Sequence, residues 1–550
     1  MTPQRFVVDP PIVTLNPMIF TNDRHAGFWS GAFAALVATV VGYVAYQGAG
    51  WFFWPEVFAQ WVFALVPGPI QAELIGWFGF DAKILGFYTA ILVQIAAGGL
   101  IGLMWRQASG LVLGAVVAGV LAVTTAAFDL SFSAVQLSGG IQVAAGGLMT
   151  CLLFGLLAPL LRGFLTPQAL DAAQETPAQI ERDDPQHPRT RRRLLVQLGT
   201  IAGAAALWPW VRADLRPATA DSVASSAASA EAARVTSSGG IDFDAISDLS
   251  PWLTPEEEFY YVSKNLTVYQ TDATTWAPLT VEGLVDSPLE LNLDDVKQLP
   301  SMEQHATLMC IDYKADKPAT RDLMSNGRWT GTSLKGLLEQ AGVQAAAKDL
   351  KFQAADGYSD SLPVDLVMEH EDIMLAWALN GEELSPKHGY PLRLIIPGYY
   401  GVKNVKHIRT IVATEEDYQG YWQNRGWSDE CDVYPLAKIE TPGLHAQVTT
   451  GRPHYIAGVA FAGLLGVSAV EVSTDGGETW HEAEVEAQPN ARYSWRRWAH
   501  VWEPVESGQH TLLARMIDGQ GKIQTADSSA AYPDGSTGYD EVWVDAVSAS

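Results

Sequence analysis

The long apolar runs of this chain are confined to its first 211 residues, and that division constrains the fold more than any other feature. A helix that crosses a bilayer needs about 20 predominantly apolar residues. Four such runs precede residue 165, at roughly 27–47, 84–104, 108–128 and 141–161. A fifth, 51–67 (WFFWPEVFAQWVFALVP), opens on Trp51, Phe52, Phe53 and Trp54 and holds Pro55 and Glu56. Aromatic side chains concentrate at the headgroup level, so this run is expected to lie in the interface or re-enter, a fifth crossing being the alternative. Arg106 follows the second of the four runs, and Arg162, Arg182, Arg189, Arg191, Arg192 and Arg193 follow the fourth. With Arg5 and Arg24 cytoplasmic and 51–67 not crossing, all of these fall inside, as the positive-inside rule prefers. The spans hold no histidine for a haem iron and few charges for an ion path, so they are read as an anchor or docking platform.

Residues 190–210, TRRRLLVQLGTIAGAAALWPW, place arginines before a short Gly/Ala-rich apolar run. That pattern resembles a twin-arginine export signal; a plain anchor helix is the alternative. Both readings put the chain beyond about residue 212 outside the cytoplasm. Residues 213–240 are rich in Ala, Ser and Thr, a composition that buries no core and serves as a tether. The expected organisation is a membrane domain over 1–165, a linker over 166–240 containing an anchor helix at 190–211, an α+β domain over 241–440 and an all-β domain over 441–550. The α+β expectation rests on short β-rich runs at 277–285, 350–353 and 391–396, and on a helix at 333–342 capped by Ser333 and ended by Gly342. The all-β expectation rests on the hairpin pattern of 468–485 around Asp475-Gly476-Gly477, with strand patterns at 511–518 and 541–546. Several short strands over some hundred residues suggest an immunoglobulin-like sandwich.

A net charge of −26 argues against nucleic-acid binding, which needs clustered Lys and Arg. It suits solubility, or docking to a basic electron carrier. The three cysteines, Cys151, Cys310 and Cys431, form no CxxC or CxxCH, which argues against zinc ribbons and attached haem. Neither a dinucleotide fingerprint nor a P-loop motif occurs.

Two clusters carry chemistry. In ATLMCIDY (306–313), Cys310 follows a β-like apolar run and precedes a polar, turn-rich stretch, so a loop presents the thiol at a strand end. A thiolate is a soft ligand for molybdenum, zinc or copper. Taken alone, the same residue is equally an inert core cysteine or half of a disulfide with Cys431. In KHGYPLRLIIPGYYGVKNVKHI (387–408), Lys387, His388, Arg393, Lys403, Lys406 and His407 surround a glycine-containing turn. Cations and turn amides together make an anion pocket; a solvated basic loop is the alternative.

The order FYYVSKN (259–265), TLMC (307–310), RWTG (328–331) and LNGEELSPKHGYPLRLIIPGYYGVKNVK (379–406) resembles the catalytic domain of the sulfite oxidase family. VEVSTDGGETW (470–480) and YSWRRW (493–498) resemble that family's immunoglobulin-like dimerisation domain. The resemblance spans about 300 residues. It implies a molybdenum–molybdopterin cofactor with Cys310 on the metal. It implies cofactor contacts from Tyr261, Lys264, Asn265, Asp356, His388, Arg393, Asn404, Val405 and Lys406. Near the metal it leaves Lys314, Arg328 and Arg496, and it places Trp377 where the animal and plant enzymes have a tyrosine. Ser263 stands where they have an arginine. The implied activity is two-electron oxygen-atom transfer on a small oxyanion or S-oxide, with electrons passed to an external carrier such as a cytochrome. A reductase of S-oxides such as methionine sulfoxide, and a non-catalytic membrane receptor or scaffold, are the alternatives. The expected setting is a bacterial cell membrane, multi-pass, with the catalytic domain periplasmic and able to form a homodimer.

Overall fold

A computed structural model describes residues 240–548, apart from 266–267, 273–275, 315–321 and 489–491, together with residue 66, two helices over 68–78 and 81–104, and a few positions between 28 and 40. The expected runs at 108–128 and 141–161, all but residue 66 of 51–67, most of 27–47, the twin-arginine segment and the tether up to 239 lie outside the described residues. The two N-terminal helices are α1 (Gly68–Phe78) and α2 (Asp81–Met104). Helix α2, 24 residues long, coincides with the run expected at 84–104. Counted over the described residues alone, no helix is long and apolar enough to cross a membrane.

The α+β part holds β1 (Leu279–Gly283), β2 (Leu289–Leu291), α3 (Leu293–Gln298), β3 (Ser301–Met309), β4 (Met324–Ser333), α4 (Leu334–Ala341), β5 (Asp349–Ala354), β6 (Ser359–Pro363), α5 (Val364–Glu369), β7 (Met374–Leu379), β8 (Glu382–Glu383), β9 (Arg393–Ile395) and β10 (Ile408–Thr414). Local chemistry sets the helix ends. Asn292 and Asp295 form a capping box on α3. On α4, the Ser333 side chain accepts from Gly336 N, and Gly342 ends the helix in the left-handed region at φ 69°. Leu334, Leu337, Leu338 and Ala341 recur at helical spacing and are buried.

One sheet runs β2-β1-β10-β5-β6, with β1 and β10 parallel; the other runs β3-β4-β7-β8, with β9 paired to β7. The first sheet and the helices share a core that includes Leu279, Val281, Leu338, Phe352 and Ile411. A second core under β3, β4 and β7 holds Leu308, Trp329, Ala376 and Leu379.

The C-terminal part is all strand: β11 (Leu436–Thr441), β12 (Gln447–Thr449), β13 (His454–Phe461), β14 (Val467–Ser473), β15 (His481–Val485), β16 (Arg496–Trp502), β17 (Gly508–Asp518) and β18 (Asp540–Val547). The order is β11-β13-β16-β15-β14-β17-β18-β12. Residues from both arms, Ile439, Ile456 and Trp498 on one and Val472, Leu512 and Val544 on the other, meet in a common core. The sheet therefore folds over on itself as two layers. Asp475 fixes the turn between β14 and β15 by accepting from Thr479 N at 2.9 Å and from the Ser473 hydroxyl at 2.7 Å.

The two parts are joined at the foot of β3. Thr307 N donates to Tyr493 O at 2.8 Å, and the Thr307 hydroxyl donates to Asn326 Oδ1 at 3.0 Å while accepting from Trp495 N at 2.8 Å. This seam lies three residues before Cys310.

Candidate cofactor cavity

Strand β3 ends at Met309, and the next residue is Cys310. Its backbone N donates to Leu323 O at 2.9 Å, and its carbonyl accepts from Tyr313 N at 3.0 Å. The residue thus begins the loop that joins β3 to β4, at the connected end of the hairpin. Neither Cys310 nor Cys431 is in a disulfide. Cys431 is buried, donates to Ser428 O at 3.0 Å, and has its thiol pushed up to about 12 by burial. The alternative of a Cys310–Cys431 bridge is therefore excluded.

Cys310 opens on a cavity of about 1030 Å³, mouth included. Its wall brings together Ser263, Lys264, Asp356, His388, Arg393, Asn404 and Lys406 from segments far apart in the chain. Gly389, at φ 110°, turns the chain after His388 and lets β9 return under it. Arg393 Nη1 donates to His388 O at 2.9 Å and Nη2 to Asn404 O at 3.3 Å. Its Nε, buried in a residue only 5% exposed, has no acceptor. The guanidinium lies 5.0 Å from the centre of the Trp329 ring. Burial lowers Arg393 to about 10, still charged at neutral pH. His388 is driven down to about 3 by burial and then by Arg393 and Lys406, so it is neutral, with Nε2 donating to Glu256 O at 3.1 Å. Lys406 Nζ donates to Val262 O at 3.0 Å and lies 4.2 Å from the Tyr261 ring centre. Asn265 Nδ2 donates to Asp356 Oδ2 at 3.1 Å, tying the 264–265 segment to the 356 turn.

Not every residue picked from the sequence lines this wall. Tyr261 stacks behind Lys406, and Val405 is buried in the core with its carbonyl accepting from Leu394 N at 2.8 Å. Asn404 faces the cavity, yet its amide is engaged by the backbone, accepting from Ile396 N at 2.7 Å and donating to Tyr400 O at 3.1 Å. Lys314, Arg328, Trp377 and Arg496 are not among the lining residues. Trp377 packs against the first core. Arg328 points to Asn380 O at 3.3 Å and Glu303 at 3.8 Å. Arg496 donates through Nε to Glu486 O at 3.0 Å in the C-terminal part.

The anion pocket expected from six basic residues also shrinks. Lys403 turns away to Asp360 and Asp429, and His407 turns to Tyr390 O at 2.8 Å and the Tyr269 ring. Lys387 is not among the lining residues either, so the pocket keeps His388, Arg393 and Lys406, and gains Lys264 from another segment. Tyr260 lies inside the FYYVSKN motif without being singled out there, and Tyr358, Trp422 and Trp427 were not picked from the sequence; all four line the cavity. The Tyr260 phenol is raised well above its ordinary range by burial first and the Cys310 charge second, and both residues line the cavity.

The donor set fits a molybdenum–pterin group. A strand-end thiol supplies the soft ligand, and a buried guanidinium with an unused N–H supplies an anion partner on the same wall.

Comparison with known proteins agrees. Residues 265–422 match the oxidoreductase molybdopterin binding domain, and 435–531 the Mo-co oxidoreductase dimerisation domain. Mitochondrial sulfite oxidase of Rattus norvegicus is 26% identical over 315 residues, 50% of this chain and 57% of that protein. NADH nitrate reductase of Solanum lycopersicum is 32% identical over 260 residues, 38% of this chain and 28% of that protein. Among solved structures, the sulfane dehydrogenase SoxCD of Paracoccus pantotrophus aligns at 22% identity with a TM-score of 0.47, covering 54% of this chain and 82% of that one. The chain spans 57% of the length of the mitochondrial sulfite oxidase it matches. The two matched domains are of the kind found in molybdopterin oxidoreductases, and they imply a molybdenum cofactor.

Proposed function

We propose that this protein is a membrane-anchored enzyme of oxygen-atom transfer, acting on a small oxyanion or S-oxide and exchanging electrons with an external carrier such as a cytochrome. The observation that carries the reading is that Cys310 and a buried, incompletely partnered Arg393 line one cavity. When bound, the molybdenum–pterin group supplies two-electron oxygen-atom transfer. Cys310 would hold the metal, and its sulfur would tune it. Lys264, His388, Arg393 and Lys406 would hold the pterin and its phosphate. Tyr260, on the wall of the same cavity, would keep its proton and serve as a donor.

Ser263 lines the cavity where the sulfite oxidase pattern has an arginine, and this favours an S-oxide substrate, with the enzyme working as a reductase. Steady-state turnover decides between the directions: sulfite with ferricyanide, against methionine sulfoxide with reduced methyl viologen. Purified protein is expected to carry about one molybdenum per chain. Cys310→Ala is expected to abolish turnover while the β-rich C-terminal part stays folded. Full turnover in that variant would refute the site.

The membrane reading draws on the apolar runs before residue 165 and on α1 and α2, where Trp77, Phe78, Leu85, Leu92 and Leu100 are exposed. Aliphatic and aromatic surface of that density calls for a non-aqueous neighbour. Alkaline extraction should leave the chain in the membrane fraction, and protease added to spheroplasts should remove the globular part if that part is periplasmic. Dimerisation through 435–531 draws on the match of that segment and is read by light scattering in detergent.

A further inference from the structure

We propose that the indole N–H of Trp427 is the hydrogen-bond donor that seats the substrate's oxygen at the Cys310 end of the cavity. The proposal rests on this cavity being the reaction site, and it assigns the acceptor a class: an oxygen carried on sulfur.

Trp427 lines the cavity, is 5% exposed, and has an Nε1 with no acceptor. Buried donors in folded proteins are nearly always paired, so an unpaired one on a cavity wall points to a ligand that completes it. Trp276, Trp495 and Trp498 also hold unpaired indole N–H groups, but none of them lines the cavity. The ring belongs to the cluster containing Met309, Ile311 and Tyr313, the residues that flank Cys310. The cationic side chains Arg393 and Lys406 are tied instead to the 388, 404 and 262 carbonyls. The indole ring thus packs in the same cluster as the residues that flank the thiol, on the wall of the same cavity.

Its orientation is fixed from three sides. Trp422 meets it edge to face, with centroids 6.4 Å apart, and Tyr532 does so at 5.2 Å. Trp427 N donates to Trp422 O at 3.2 Å. Gly426, at φ 87°, leads into it, and a Cβ there would collide with the Tyr532 hydroxyl. An indole N–H donates and never accepts, and it does not release its proton at neutral pH. It can bind the oxygen of sulfite, sulfate or a sulfoxide, but it cannot act as the acid. Its effect should fall on binding rather than on proton transfer.

The test compares wild type, Trp427→Phe and Trp427→His as molybdenum-loaded full-length protein. Binding of sulfate and of dimethyl sulfoxide is measured by calorimetry, and turnover by the two assays above. Trp427→Phe keeps an aromatic ring and deletes the donor. We expect about tenfold weaker binding of whichever compound wild type binds, a matching rise in KM with kcat nearly kept, and unchanged molybdenum content. Trp427→His restores a ring N–H and should recover most of the loss. Wild-type binding and KM in Trp427→Phe overturn the proposal. A loss of molybdenum in that variant also overturns it, since the indole would then be packing the cofactor. A wild-type holoenzyme inert in both assays refutes the proposed function instead, and the binding data still decide the role of Trp427.

Discussion

Replacing Lys403 by Met should destabilise the cavity floor severely, although Lys403 touches nothing in the cavity. The side chain is 2% exposed and donates to Asp360 Oδ1 at 2.9 Å, to Ser361 O at 3.1 Å and to Asp429 Oδ1 at 2.5 Å. Asp360 is fully buried and also accepts from the Tyr358 hydroxyl at 2.9 Å; Tyr358 and Val402, which flank this network, line the cavity. Removing one partner of a buried ion pair costs roughly 3–5 kcal/mol, because the other charge stays buried without compensation. At roughly 2–4 °C per kcal/mol for a domain of this size, the melting temperature should fall by about 6–20 °C. Burial already pushes the Asp360 carboxyl up against the pull of Lys403. Without the ammonium it climbs further, so the variant's deficit should shrink as pH falls from 8 to 5.5 and the carboxyl takes a proton. Adding Asp360→Asn removes the stranded charge and should recover at least half the loss. Differential scanning fluorimetry across that pH range reads all three proteins. A Lys403→Met deficit under 1 kcal/mol, or a double variant no better than the single one, would show that the pair is not coupled as drawn.

His407 is buried and lowered to about 4, and a depressed histidine contributes stability that is complete above its ordinary 6.5 and lost as pH falls toward 4. His407→Gln should therefore remove roughly 1.3 kcal/mol per pH unit from the slope of stability near pH 5, read by urea melts at pH 5 and 7. An unchanged slope would place the charge elsewhere. Thr307→Val deletes the hydroxyl that accepts from Trp495 N and donates to Asn326, so it should cost about 1–3 kcal/mol and loosen the seam between the two globular parts. Limited proteolysis near residue 435 reports that loosening, and a cleavage rate equal to wild type counts against it. Arg393→Leu removes the buried cation from the cavity wall and should cut molybdenum content several-fold, measured by mass spectrometry on purified protein. Normal loading would show that the guanidinium is structural only.

The features legible in the sequence were local ones. Ser333 and Gly342 bracket α4 because capping and a left-handed stop are properties of the residues themselves. The β14–β15 hairpin follows from Asp475 and two glycines, and Cys310 at a strand end follows from the apolar run before it. The hidden features were long-range. Six basic residues between 387 and 407 read as one anion pocket, yet Lys403 answers to Asp360, 43 positions earlier, and His407 turns on a positive φ of 54° toward Tyr390. No pattern within the loop distinguishes these two from His388, Arg393 and Lys406; only the sheet that brings residue 360 beneath residue 403 does so. The aromatic position shows the same limit. Alternation along β7 turns Trp377 into the first core, while Trp427 comes from an irregular turn in which no periodicity tells which way a ring points. Gly426 was the available signal. A glycine forced to positive φ immediately before a tryptophan, with a second tryptophan five residues back, marks a turn built to aim a ring. The cavity thus acquires its lining from different kinds of information: the cationic residues from a motif that can be read in the chain, the aromatic ones from packing that exists only once the chain has folded.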